Sequence, residues 1–292
     1  MNPPLFTIER NHSQSKALST NEALHALESG QIIYFPAFCF ALQNNELPIL
    51  CESILDSRHK NISYDYRHNR IAGLSDEAPI EPKLMAEFMH RFALFAKTLI
   101  DETFPEYSEI VHWGRTSYRP AEIKGRKTSK RKDDTRLHVD SFSATPVNGL
   151  RILRVFCNIN PSGEPRVWHV GEPFTKVLEQ FAPHIPPYQP IKAKLLKWLK
   201  ATKTLRSAYD HYMLHLHDGM KLNDHYQQEV TKQRIDFPTN STWIVFTDHV
   251  SHAALSGQYL LEQTFYLPVS AMRAPELSPL KQWEKKKSKV LA

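Results

Sequence analysis

No apolar run in the 292 residues approaches the roughly 20 needed to cross a bilayer as a helix, and the opening MNPPLFTIER has neither the basic start nor the apolar core of a signal peptide. A cytoplasmic protein is the expectation. Cysteine is scarce: Cys39, Cys51 and Cys157 form no CxxC pair, and an odd number in an unexported chain argues for buried thiols rather than a disulfide frame. Glycine is scarce too, 9 residues against 20 prolines, which suggests rigid loops joining short elements. No glycine-rich phosphate loop is present, so an ATP or NAD enzyme is disfavoured. The remaining composition, 41% hydrophobic and 23% charged, is that of a globular chain and excludes disordered and collagen-like readings. The formal net charge of +6 admits an anionic partner: nucleic acid, an acidic lipid surface or a charged small substrate.

Along the chain, NEALHALES at 21–29 reads as a helix ended by Gly30 and followed by a strand in QIIYFP. A second helix is expected over 45–56. A third, over 82–103, carries Leu84, Phe88, Phe92, Phe95 and Leu99 at helical spacing. From about residue 109 the pattern turns strand-like, in EIVHWGRTSYRP, TRLHVDSF, GLRILRVFCNIN, RVWHVGEPF, STWIVFTD and LEQTFYLP, each ended by a turn-forming residue. With a helical insert at about 174–231, this predicts an α+β chain built on a helix-flanked β-sandwich rather than on alternating βαβ units. One domain over 1–280 is expected, followed by a mobile basic tail at 281–292.

His138-Val139-Asp140 is the informative tripeptide, because residues flanking a strand position share a face and so direct an imidazole and a carboxylate to one point. By itself it is weak: a chain with 15 histidines produces roughly one HxD by chance. STWIVFTDHVSHAALSG supplies a second imidazole, from His252 or His249, and a two-histidine, one-carboxylate set leaves iron positions open for a keto acid and dioxygen. His252 is preferred, since it precedes the small-residue run AALSG while His249 sits in the turn. Zinc is less apt, because HExxH and Cys-rich spacings are missing. The ligand set His138, Asp140 and His252 therefore points to Fe(II), with 2-oxoglutarate and dioxygen as co-substrates.

Such a co-substrate needs a cation for its far carboxylate. Arg151 and Arg154 interrupt the otherwise apolar GLRILRVFCNIN, and alternation allows only one of them to face the metal. Arg154 is favoured, with Arg151 and Arg136 as rivals. The stretch LLEQT after the distal histidine, where many such oxygenases carry the anchoring arginine, has no basic residue.

The runs SYRPAEIKGRKTSKRKDDTRLHVDSF, RILRVFCNINPSGEPRVWHVGEPF, LHDGMKLNDHYQ and SHAALSGQYLLEQTFYLPV resemble the Kdo hydroxylase family over about residues 31–280. Kdo is 3-deoxy-D-manno-oct-2-ulosonic acid, the sugar that links lipid A to the core of bacterial lipopolysaccharide. The resemblance implies a double-stranded β-helix (a jelly roll, cupin-like) dioxygenase that hydroxylates the outer Kdo of Kdo-lipid A at C3, with the triad at His138, Asp140 and His252. In that light Arg119, Lys124, Arg126, Lys127, Lys130 and Arg131 are candidate contacts for an anionic substrate. The helix IKAKLLKWLKATKTLR, with Ile191, Leu195, Trp198 and Leu199 on one face, is a candidate for peripheral contact with an anionic inner-membrane surface. Neither a nucleic acid nor an obligate protein partner is expected. A related oxygenase acting on protein or nucleic acid, and a metal-free module binding lipopolysaccharide sugars, are the competing readings.

Overall fold

The computed structural model describes residues 4–10, 20–126 and 128–292. The first helix, α1 (Thr20–Glu28), stops where the sequence says it should. Gly30 takes φ +89°, its N–H donates to the Leu27 carbonyl at 3.1 Å, and Gln31 N–H donates to Ala26 at 2.9 Å. These paired bonds cap the orphan carbonyls of the last turn, and only glycine adopts that φ without strain. The chain then enters a strand.

Eleven strands are found among the described residues: β1 (Leu5–Thr7), β2 (Ile32–Phe35), β3 (Ile62–Asp65), β4 (Arg70–Ala72), β5 (His112–Arg119), β6 (Arg151–Asn158), β7 (Arg166–Val170), β8 (Gln233–Phe237), β9 (Ser241–Phe246), β10 (His252–Ser256) and β11 (Leu260–Leu267). Eight form one sheet in the order β1-β2-β9-β6-β11-β5-β3-β4, and the other three form a second sheet, β10-β7-β8. Phe156, Trp243, Val245 and Leu260 of the large sheet share one core with Trp168, Ile235, Phe237 and Ala254 of the small one. The two sheets therefore face each other, as burial of one side of each requires. This is a mixed α/β architecture with one large sheet.

The opposite face of the large sheet is covered by helices. On α2 (Pro82–Thr103), Met85, Phe88, Met89, Phe92, Ala96 and Leu99 are buried, and this stripe meets Tyr64, Tyr118, Cys157 and Leu261. The insert supplies α3 (Phe174–Phe181), α4 (Pro190–Trp198), α5 (Ala208–Leu222) and α6 (Asp224–Glu229). Cys39 and Cys157 are buried thiols, and Cys51 is a half-buried one.

Three local expectations change. The helix expected over 45–56 is two short 3-10 helices, Asn44–Ile49 and Glu52–Ile54. Pro48 lies inside the first, where it lacks the N–H that an α-helix would use and would crowd the carbonyl four residues back. TRLHVDSF forms no ladder strand: its one pairing is an isolated bridge from His138 to His252. The terminal basic segment is not a loose tail. It forms α7 (Pro279–Lys287), with Trp283 fully buried and Leu280 and Leu291 in the main core.

Candidate metal centre

The segment before Asp140 is held by backbone bonds to the turn and strand that carry His252. Ala254 N–H donates to Asp134 O at 2.7 Å, His138 and His252 exchange N–H···O bonds of 3.0 and 2.9 Å, and Asp140 N–H donates to Thr247 O at 2.8 Å. The helical insert adds a clamp. Gln227 of α6 accepts from Leu137 N–H and donates to Leu137 O, both at 2.9 Å, and donates also to Met220 O of α5 at 2.9 Å. Leu137 and Val139 are buried in the core, so alternation directs His138 and Asp140 to the other side.

There the side chains of His138, Asp140 and His252 meet, each offering one donor atom within 4.8 Å of the others. His138 Nε2 lies 3.6 Å from Asp140 Oδ1. Each imidazole uses its Nδ1 toward a nearby carbonyl, His138 to Arg136 O and His252 to Val250 O, both at 2.8 Å. A carbonyl only accepts, so Nδ1 carries the hydrogen and Nε2 presents a lone pair to the shared point. Burial lowers the His138 pKa to about 3 against the opposing pull of Asp140, and burial lowers that of His252 as well. Burial by itself would raise Asp140, but Arg154 and the two imidazoles hold its carboxyl well below the usual range. The result is two neutral nitrogens and one anionic oxygen, the protonation states in which such groups bind a cation. His249 is absent from this cluster: its ring packs on Gly30 and Phe174, away from the triad.

Of the three candidate arginines, one adjoins the triad. Arg154 sits beside it, with Nη1 3.2 Å from both Asp140 Oδ2 and Glu262 Oε1. Arg151 is a rival the structure removes. It projects from the other face of β6, fully buried, where it pairs with Asp248 at 2.7 Å and stacks over Phe246. Arg136 is removed also, because its guanidinium points to the end of the insert, donating to Lys221 O at 2.5 Å and Asp224 at 2.6 Å.

A cleft of about 660 Å³ opens beside the triad, walled by Arg119, Arg154 and Glu262 and by the loop from Ser141 to Thr145. Glu262 escaped notice in the sequence, where LLEQT drew attention only for its missing base. It lies diagonally between the two arginines on the sheet, accepting from Arg119 at 2.9 Å. Arg67, Arg115 and Lys203 also line the cleft, and no sequence pattern tied them to it. Of the other basic candidates, those described do not line the cleft. Lys130 and Arg131 are exposed and pair with Asp224 at 2.5 Å and Asp218 at 3.0 Å. Lys124 is exposed, Arg126 is half-buried in the following turn, and Lys127 lies outside the described residues.

Among the described residues, Asp140 Oδ2, Arg154 Nε and Trp168 Nε1 are buried without a hydrogen-bond partner. The Asp140–Arg154 contact at 3.2 Å is thus an ion pair rather than an aligned hydrogen bond. Trp168 stacks on His252 with ring centroids 5.0 Å apart. A buried anionic acceptor on Asp140 and a buried donor on the adjacent Arg154, both left unpaired, are what a bound cation and an anionic ligand would satisfy.

The family model for 3-deoxy-D-manno-oct-2-ulosonic acid (Kdo) hydroxylase matches residues 10–289. The chain is similar to the Kdo hydroxylase KdoO, described as a non-heme Fe(II) α-ketoglutarate dependent dioxygenase, solved with α-ketoglutarate (2-oxoglutarate) and Fe(III). The two share 43% identity over 99% of this chain and 98% of that one, with a TM-score of 0.94. A KdoO structure with cobalt(II) is similar at 44% identity over 99% and 97%, TM-score 0.94. One with succinate and Fe(III) is similar at 43% over 99% and 97%, TM-score 0.93. No protein with a curated description matches the chain.

Proposed function

The chain belongs to the Kdo hydroxylase family, and from that premise we propose that it is an Fe(II)- and 2-oxoglutarate-dependent dioxygenase that hydroxylates Kdo, with His138, Asp140 and His252 as its metal ligands. One observation carries the reading: those three donors converge within 4.8 Å, with both Nε2 lone pairs turned inward. Two nitrogens and one oxygen suit iron and leave positions for a chelating keto acid. When bound, Fe(II) and 2-oxoglutarate supply the oxidising chemistry, directing one atom of dioxygen to the sugar and the other to succinate, with carbon dioxide released.

The chain's own residues bind, orient and exclude water. The carbonyls of Arg136 and Val250 fix the two tautomers. Arg154, whose buried Nε lacks a partner, is the cation suited to the far carboxylate of 2-oxoglutarate, and Glu262 holds its Nη1 in place. Arg119, steered by the same carboxylate, faces the cleft where an acidic sugar would lie. All three ligand residues are buried, and the cleft adjoins them through Ser141 and Arg154.

We read the two facing sheets as a jelly roll and residues 1–280 as one unit, to which α7 is packed. The resemblance supports the outer Kdo of Kdo-lipid A as substrate and C3 as the position hydroxylated. A lipid-linked substrate would be met at a membrane surface; no helix among the described residues is long and apolar enough to cross one. Incubation with Fe(II), 2-oxoglutarate and Kdo-lipid A tests the proposal by mass spectrometry. The expected result is one added oxygen atom per Kdo-lipid A with matching succinate. Iron-loaded protein that leaves the lipid unchanged would refute it.

A further inference from the structure

The insert carries a feature that the reaction does not require. On α4, Ile191, Leu195 and Trp198, together with Leu199 just beyond it, are 82%, 51%, 77% and 57% exposed. Their spacing puts them on one side of the helix, while Ala193 and Leu196 turn inward toward the rest of the insert. Lys192 and Lys194 flank the apolar stripe, and Lys197, Lys200 and Lys203 follow, all exposed. No acidic residue occurs between Glu179 and Asp210. An amphipathic helix normally buries its apolar side in its own domain; this one presents it to solvent inside a ring of positive charge.

The segment is joined to the cleft. Lys203 N–H donates to Ala144 O at 2.9 Å and Arg206 donates to Ser143 O at 2.8 Å, so the residues after α4 are tied to the loop that walls the cleft. That loop follows directly on Asp140, and Lys203 is itself a cleft residue.

We propose that α4 is a docking face for an anionic lipid bilayer, laying Ile191, Leu195, Trp198 and Leu199 among the acyl chains while the lysines contact acidic headgroups. Charge selects the occupant: a protein partner would have to cover both the apolar stripe and the three lysines of a short helix with two more just beyond it, whereas an anionic membrane offers both chemistries at once. Docking in this way brings the cleft to the surface from which a lipid-linked sugar projects. The inference rests on the proposed function only for what it says about that sugar.

Vesicle flotation of the full chain tests it, using zwitterionic phosphatidylcholine vesicles and vesicles that also contain phosphatidylglycerol. Binding is expected only to the anionic vesicles and should fall about tenfold or more in a variant with Ile191, Leu195, Trp198 and Leu199 changed to Ser. A separate variant with Lys192, Lys194, Lys197 and Lys200 changed to Gln should show a similar loss. Brominated acyl chains should quench emission in the wild type but not in Trp198→Ser. Both multiple variants are expected to keep the wild-type melting temperature, since every changed residue is exposed. They should hydroxylate a soluble Kdo glycoside at the wild-type rate yet act about tenfold more slowly on vesicle-embedded Kdo-lipid A. Wild-type protein that ignores anionic vesicles, or variants that float like wild type, would overturn the inference. So would a wild-type dimer abolished by the Ser changes without vesicle binding. Failure of wild type to oxidise either Kdo substrate would instead strike the proposed activity, leaving the vesicle result to stand by itself.

Discussion

Replacing Gln227 with Ala removes an amide that hydrogen-bonds to none of the His138, Asp140 or His252 side chains yet fixes the backbone next to one of them. In the structure it makes three hydrogen bonds of 2.9 Å, two to the Leu137 peptide and one to Met220 O. At about 1 kcal/mol each, they would contribute about 3 kcal/mol if nothing replaced them. Gln227 is half-buried, so water can reach some of the released groups, and a loss of about 1–2 kcal/mol is the better expectation. For a chain of this size that is a fall in melting temperature of about 2–3 °C. The local effect is more telling. His138 follows Leu137 directly, between the Asp134, His252 and Thr247 backbone tethers, so loosening the peptide should weaken Co(II) or Fe(II) binding by about tenfold, the scale of supporting-residue effects at metal sites. Gln227→Leu, which restores bulk without hydrogen bonds, should do the same. Calorimetric metal titration beside thermal denaturation reads both quantities. Unchanged metal affinity in a variant with the expected melting shift would refute the claim that the insert positions the segment carrying His138 and Asp140.

Arg154→Met should raise KM for 2-oxoglutarate by about tenfold or more while leaving metal stoichiometry intact, because a charge-assisted bond of about 1.5–3 kcal/mol is lost; steady-state succinate release measures it. Arg151→Ala should behave oppositely, destabilising the fold by about 3–5 kcal/mol because Asp248 is left buried and unpaired, with no specific change in KM for 2-oxoglutarate. Denaturant unfolding of the two variants side by side separates these roles. Trp283→Ala should cost about 3–5 kcal/mol, since the indole is fully buried, and unfolding that matches wild type would show that α7 is not part of the core.

Much of the site was legible because it depends on short-range geometry. His138 and Asp140 share a face through simple alternation, and the same rule separates Arg154 from Arg151. Alternation could not tell which arginine faced the cleft; that depends on which side of β6 meets the small sheet, a property of the assembled sandwich. The ligand segment itself was misread as a ladder strand. Its support comes from the turn after β9, from β10 and from Gln227, partners distant in sequence that no local pattern announces. Glu262 was passed over for a related reason. A lone acid in an apolar strand acquires meaning only when β5 and β6 bring Arg119 and Arg154 to either side of it. The helix expected over 45–56 gives way at Pro48, and the basic terminal segment is ordered by Trp283, whose burial depends on partners distant in sequence. The spacing of Ile191, Leu195, Trp198 and Leu199 was plain, but whether that stripe faced protein or solvent was a matter of tertiary packing.

Anaerobic titration of Fe(II) into wild type, Asp140→Ala and His249→Ala, with circular dichroism to verify folding, tests the central assignment most directly. One iron per chain is expected in wild type and in His249→Ala, and none at comparable affinity in Asp140→Ala. A folded Asp140→Ala protein that still binds one iron as tightly as wild type would contradict the account.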